Sequence, residues 1–297
     1  MISKRQKVLL ALLEAWGGEL PNTDMQKYLF LVSRCQETKN RSYHFIPYKY
    51  GCFSFNSYSD KRKLIEKKVL KDCEDWKLSE KQSDFYFMLP KEDRASIKKV
   101  KEEFGHLSGK ELIRHIYLKY PYYAVNSEIL GDVLSNSEIT QIKECKPKNE
   151  IRALYTIGYE ERSLEEYINF LIKEDVKILV DVRKNPVSRK YGFSKKTLQK
   201  AIEEVGIEYR HIPELGISGE KRANLHNLED YNRLFDSYEK EVLSSSSNLL
   251  MTLYQLILDN ERIALTCFEK DSEYCHRTRI AEKIVKDLSG DLSIINL

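Results

Sequence analysis

The sequence predicts two domains of different class: a mainly α winged helix-turn-helix domain over residues 1–130, then an α/β domain with a parallel three-layer sheet over residues 151–297. Three observations lead there. The chain has 297 residues, about twice the usual domain length of ~100–150 residues. Its first half is dominated by helical periodicity, whereas its second half alternates short apolar runs with helical stretches. Between them, residues 131–150 (GDVLSNSEITQIKECKPKNE) are polar and carry a Pro, as a linker does.

In the first half, Lys4–Trp16 places Val8, Leu9, Leu12, Leu13 and Trp16 at helical spacing and stops at Gly17-Gly18. Asn22 or Thr23 caps a second helix that runs to about Cys35. SYHFIPYKYGCFSFNSYSD is too aromatic for a plain helix and leads into a helical stretch, Lys61–Leu70. DWKLSEKQSDFYFMLP reads as a β-hairpin, and two further helices follow at about Glu92–His106 and Gly109–Leu118. Helices, a joining turn and a hairpin in this order make a winged helix-turn-helix.

In the second half, ALYTIGY, VKILVDVR, IEYRHIP and RIALTCFE are four apolar runs typical of buried strands. Helical stretches lie between them at Ser163–Lys173, Lys195–Glu204 and Tyr231–Val242, and His276–Leu288 follows the last. A parallel sheet puts its chemistry beyond the carboxyl ends of its strands, so the residues after each run are the ones to examine.

Composition narrows the class. A 41% hydrophobic share, 32% charged residues and a mean hydropathy of −0.53 exclude a membrane protein, and 11% aromatic residues exclude a disordered one. No run reaches the ~20 apolar residues of a membrane span, and the N-terminus turns acidic before a signal-type apolar core is complete. The expectation is a cytoplasmic protein without a membrane partner. Six cysteines then stay as thiols rather than forming a disulfide framework. The net charge of +3 divides into +6 over residues 1–150 and −3 over residues 151–297, so any polyanion is expected to meet the first half.

Gly158-Tyr159-Glu160-Glu161 follows the first apolar run, Asp181 to Arg189 the second, and Glu214 to Gly219 the third. The fourth ends in Cys267-Phe268-Glu269, with Cys275-His276-Arg277 opening the next helix. Arginine's planar fork suits oxyanions, and a helix start aims free N–H groups at the same place. Tyr159, Arg183, Ser188, Arg189 and Arg277 are therefore the expected substrate-binding residues, around a phosphate or similar anion. Asp181 and Glu269 are candidate general bases, His276 and Cys275 candidate proton-transfer groups, and Cys267 a candidate nucleophile. The plainer alternatives are that Asp181 and Arg183 only tie down a loop, and that Cys267 is a small core residue.

Cysteine at a strand end, an anion-binding loop and Arg at a helix head form the layout of rhodanese and related phosphatases, on a Rossmann-like sheet. Glu269, Asp271 and Glu273 make this loop acidic, so the analogy carries the fold further than the reaction. Cys267, Cys275 and His276, with Glu269 or Asp271, supply enough ligands for a metal. Their spacing lacks the paired Cys-x-x-Cys unit, and no metal or cofactor is assigned.

These residues also carry a resemblance. Residues 151–297 resemble the bacterial and archaeal domain-of-unknown-function family 488, through Ile157 to Tyr159, Asp181 to Arg189, Leu215-Gly216, Cys267 to Glu269 and Cys275 to Arg277 in the family's order. The resemblance implies a compact α/β domain with a polar, arginine-rich cleft. The chain departs from the pattern after Leu215-Gly216, where Ile217-Ser218 replaces a second glycine. More loosely, DMQKYLFLVSRC and PYKYGCFSFNSYSD are similar to winged-helix domains of bacterial and phage-associated regulatory or defence proteins.

The expected polyanion contact is Lys61, Arg62, Lys63, Lys67, Lys68 and Lys71, which suits phosphates rather than base edges, because the would-be recognition helix displays Tyr28 to Val32. Three functions fit. The first is an enzyme that hydrolyses a glycosidic or phosphodiester bond in a nucleic acid, DNA before RNA, or in a nucleotide. The others are a non-catalytic sensor of such a ligand and a rhodanese-like thiol enzyme using Cys267.

Overall fold

The computed structural model describes residues 1–79, 84–222, 225–288 and 292–297. The chain divides into two units, Met1–Lys146 and Pro147–Leu297.

In the first unit, α1 (Lys4–Ala15) leads through β1 (Glu19–Leu20) into α2 (Asn22–Cys35). α2 is its central helix, burying every residue from Asp24 to Ser33. Its polar members find partners inside: Lys27 Nζ donates to the carbonyls of Tyr50 and Cys52, and Gln26 Nε2 donates to Ser57 Oγ at 2.7 Å. A helix enclosed in this way has no face left for reading bases.

The aromatic segment folds as a hairpin, β2 (Ile46–Tyr48) with β3 (Gly51–Phe53), and α3 spans Phe55–Glu66 rather than Lys61–Leu70. Hydrophobic periodicity misplaces α3 because its inward face is polar: Asn56, Ser57, Asp60 and Lys61 are buried beside Leu64. Asp60 pays for that burial with hydrogen bonds from Arg5, Gln6 and Tyr43.

Among the described residues, the two arms of the hairpin expected over residues 75–90 do not pair with each other. β4 (Trp76–Lys77) pairs antiparallel with β1, residues 85–89 form a turn, and residues 80–83 lie outside the described ones. Trp76, fully buried against Tyr58, anchors β4 in the core instead. α4 (Lys91–Phe104) and α5 (Gly109–Lys119) follow near the expected positions. Most of the expected linker is structure: α6 (Leu130–Val133) and α7 (Asn136–Glu144) dock on this unit because Leu134 and Ile142 enter its core. The unit is mainly helical with small hairpins. No described helix is long and apolar enough to cross a membrane.

The second unit is α/β. β5 (Ala153–Gly158), α8 (Leu164–Lys173), β6 (Ile178–Asp181), α9 (Lys195–Glu203) and β7 (Glu208–His211) lead to α10 (Leu228–Tyr238), a π-turn and α11 (Ser247–Asn260). β8 (Arg262–Cys267), α12 (His276–Leu288) and β9 (Ser293–Asn296) complete it. The strands form one parallel sheet of order β7-β6-β8-β5-β9, with β8 at its centre. All residues of β5, β6 and β8 are buried, which explains their unbroken apolar runs. Register sets Gly158 beside Cys267, and Asp181 beside both Thr266 and His211, so four loops leave one edge together.

Candidate functional site

Two glycines let those loops pack. A Cβ on Gly158 would lie 1.7 Å from the Glu269 carbonyl oxygen, so only glycine lets the chain after β8 cross β5. A Cβ on Gly216 would lie 2.2 Å from the Lys184 nitrogen, where the loop after β7 meets the one after β6.

Asp181 ends β6 completely buried. It accepts from Arg183 Nε at 2.8 Å, Arg183 Nη2 at 2.5 Å, the Arg183 backbone N–H at 3.1 Å and Tyr209 OH at 2.6 Å. Arg183 spends Nη1 on Tyr159 OH and the Phe193 carbonyl. Burial alone would weaken its charge, but the bonds to Asp181 outweigh that and raise its pKa. Tyr159 is buried too, stacked on Phe193 at 4.4 Å. Arg277, 1% exposed, donates to Thr156 Oγ1 at 3.2 Å and to the carbonyls of Glu269 at 2.6 Å and Lys270 at 3.2 Å.

These contacts give two of the expected cleft arginines structural partners. Arg183 and Arg277 are buried and tied into the fold, the first holding the β6 loop and the second the β8 loop. Ser188 braces its own loop through Ser194 and the Lys190 N–H, and Arg189 is exposed.

The remaining reactive groups do come together. Cys267 and Cys275 are buried thiols, and His276 is fully buried at the head of α12. His276 Nε2 lies 3.0 Å from the Val182 carbonyl, which fixes that nitrogen as the donor and leaves Nδ1 a bare acceptor. Nδ1 is 3.7 Å from Cys267 Sγ and 3.9 Å from Cys275 Sγ, and the three donor atoms lie within 4.8 Å of one another, close enough to hold a metal ion.

Arg222 enters the same place from the loop after β7. Its Nη2 is 2.8 Å from His276 Nδ1 and 3.9 Å from Cys267 Sγ, while Nη1 pairs with Glu269 Oε1. The other Glu269 oxygen is buried with no hydrogen-bond partner. Sequence reasoning missed Arg222. It lies seven residues past Leu215, and searching a little farther beyond the third strand's end would have reached it.

The charges are mutually dependent. Burial opposes ionisation of Cys267, but the hydrogen bond from the Cys275 thiol and the Arg222 charge bring its pKa well below the ordinary thiol value. Burial and the neighbouring Cys267 thiol push Cys275 well up. Burial and then Cys267 raise Glu269, partly offset by Arg222 and the nearby Cys275 thiol. Half-buried Tyr231 and Tyr274 meet edge to face at 5.1 Å, and burial followed by the Glu269 charge raises the Tyr231 hydroxyl.

In the first unit, Lys61 turns inward, unlike the basic residues beside it. It is buried, with Nζ directed to the Glu74 and Cys73 carbonyls and its charge over the Trp76 ring at 5.0 Å. Arg62, Lys63, Lys67, Lys68 and Lys71 are exposed.

Residues 163–284 match the family described as a domain of unknown function, DUF488. The match runs from the start of α8 into α12 and takes in the loops after β6, β7 and β8; the first unit lies outside it. No curated protein and no solved structure matches the chain.

Proposed function

We propose that the second unit is a hydrolase of nucleotides or nucleic acid, cleaving a glycosidic or phosphodiester bond, and that its working centre is Glu269, His276, Arg222, Cys267 and Cys275. The observation that carries this reading is the convergence of two thiols, an imidazole and a carboxylate on one guanidinium at the carboxyl edge of a parallel sheet. A structural ion pair needs only Arg222 and Glu269. Glu269 takes the proton of the attacking water, Arg222 stabilises developing negative charge, and Tyr231 with Tyr274 supplies apolar surface for a base.

The first unit contributes affinity for the polymer through its exposed basic residues, Arg62, Lys63, Lys67, Lys68 and Lys71, whatever its relation to winged-helix domains. Within the second unit, the rhodanese- or Rossmann-like, three-layer reading rests on the strand-to-helix alternation and on the strand-end position of Cys267. A thiol enzyme using Cys267 is the second reading, favoured by Arg222 Nη2 at 3.9 Å from its sulfur and opposed by its 2% exposure.

The test is turnover of the full chain on labelled single- and double-stranded DNA and a panel of mononucleotides. Product from wild type that is lost in folded Glu269→Gln supports the hydrolase. Loss in Cys267→Ser alone supports the thiol enzyme. Binding without product on any substrate overturns both and leaves a sensor.

A further inference from the structure

We infer that Cys267, Cys275 and His276 form a binding site for a soft divalent transition metal, of the zinc class. The donor set comes first. Two sulfurs and one imidazole nitrogen suit Zn²⁺ over the oxygen-seeking Mg²⁺ or Ca²⁺. Local spacing conceals the set, because Cys275 and His276 are adjacent while Cys267 ends the central strand, and only the return of the loop onto α12 unites them.

Distance comes next. A tetrahedral zinc with Zn–S of about 2.3 Å and Zn–N of about 2.0–2.1 Å requires its sulfur and nitrogen ligands to be about 3.6 Å apart and its two sulfurs about 3.8 Å apart. The structure has 3.7 and 3.9 Å from Nδ1 to the two sulfurs, and all three atoms lie within 4.8 Å of one another. Closing the site needs side-chain shifts of no more than about 1 Å between the sulfurs.

The third argument is orientation. Ligating histidines donate their other ring nitrogen to a carboxylate or a backbone carbonyl, and His276 Nε2 is held in this way on the Val182 carbonyl. A fourth, independent observation is that the donors already surround a cation. Arg222 Nη2 sits at hydrogen-bond distance from Nδ1 and near Cys267 Sγ. When metal binds, any thiol that still holds its proton releases it to solvent, and Arg222 gives up Nδ1 while keeping Glu269. No electron is transferred.

Three protein ligands leave one position for water or substrate, the pattern of catalytic rather than structural zinc. Glu269, held on Arg222 through one oxygen, keeps its other oxygen buried without a hydrogen-bond partner. In its role, though not in its ligands, the assignment rests on the hydrolase reading above: the metal supplies the activated water.

The experiment titrates Co²⁺ into reduced, metal-stripped full-length protein. The expected result is a sulfur-to-cobalt charge-transfer band with the intense visible bands of a tetrahedral site, saturating at one ion per chain and erased by Zn²⁺. The bands should disappear in Cys275→Ser. They should persist in a triple variant of the exposed cysteines, Cys35→Ser/Cys73→Ser/Cys145→Ser, which keeps the assignment testable should Cys275→Ser fail to fold. No bands in folded, reduced wild type, or bands lost in the triple variant, would overturn the site. Binding of cobalt without turnover leaves the site standing and counts against the hydrolase; turnover by the metal-stripped protein does the reverse.

Discussion

Asp181 and Arg183 look like a base and an anion clamp when read as sequence, and the structure makes them a buried pair with every strong contact used. Removing one partner of such a pair leaves an uncompensated charge and costs about 3–5 kcal/mol. Arg183→Met is therefore expected to lose stability of that order in urea unfolding, while turnover per folded molecule stays near wild type. An unchanged unfolding midpoint would count against this assignment. At Lys61 the same lesson holds: its charge is spent on the Glu74 and Cys73 carbonyls, so Lys61→Met should lower stability and leave affinity for DNA nearly unaltered in a binding titration. Residue type and strand-end position were legible in the sequence. Which polar groups were spent on one another was not, because hydrogen bonds such as Tyr209 to Asp181, or Arg277 to Thr156, cross between elements far apart in the chain.

At the scale of elements, apolar runs located four strands of the sheet and failed where the pattern was polar or short. α3 was misplaced because its inward face carries Asn56, Ser57, Asp60 and Lys61. β9, an edge strand with two exposed ends, has little to distinguish it from a loop. α7 was hidden in a polar stretch that commits only Ile142 fully to the core. The clearest element-scale test lies at the crossing of β5 and the β8 loop. Gly158→Ala places a methyl against the Glu269 carbonyl and is expected to cost about 1–3 kcal/mol or more. It should also weaken cobalt binding, because the displaced loop joins Cys267, at the end of β8, to Cys275 and His276. Wild-type stability and wild-type cobalt spectra together would contradict the proposed crossing.

For the whole molecule, the uneven charge sets an expectation about the polymer. If Lys63, Lys67 and Lys68 all contact phosphates, replacing them with Gln should weaken every DNA sequence about equally and reduce the slope of log affinity against log salt by up to ~2.7. An unchanged slope would remove the first unit from the account. The account's central claim concerns the second unit, where four arginines were candidates by position or by placement and only one, Arg222, reaches the thiols, the imidazole and the carboxylate. Turnover per folded molecule for Arg222→Met and Arg277→Met, measured side by side on whichever nucleotide substrate wild type cleaves, tests it most directly. The account predicts that Arg222→Met is folded and inactive, while Arg277→Met is less stable yet turns over normally in its folded fraction. An active Arg222→Met, or a wild type that cleaves nothing in the panel, would contradict it.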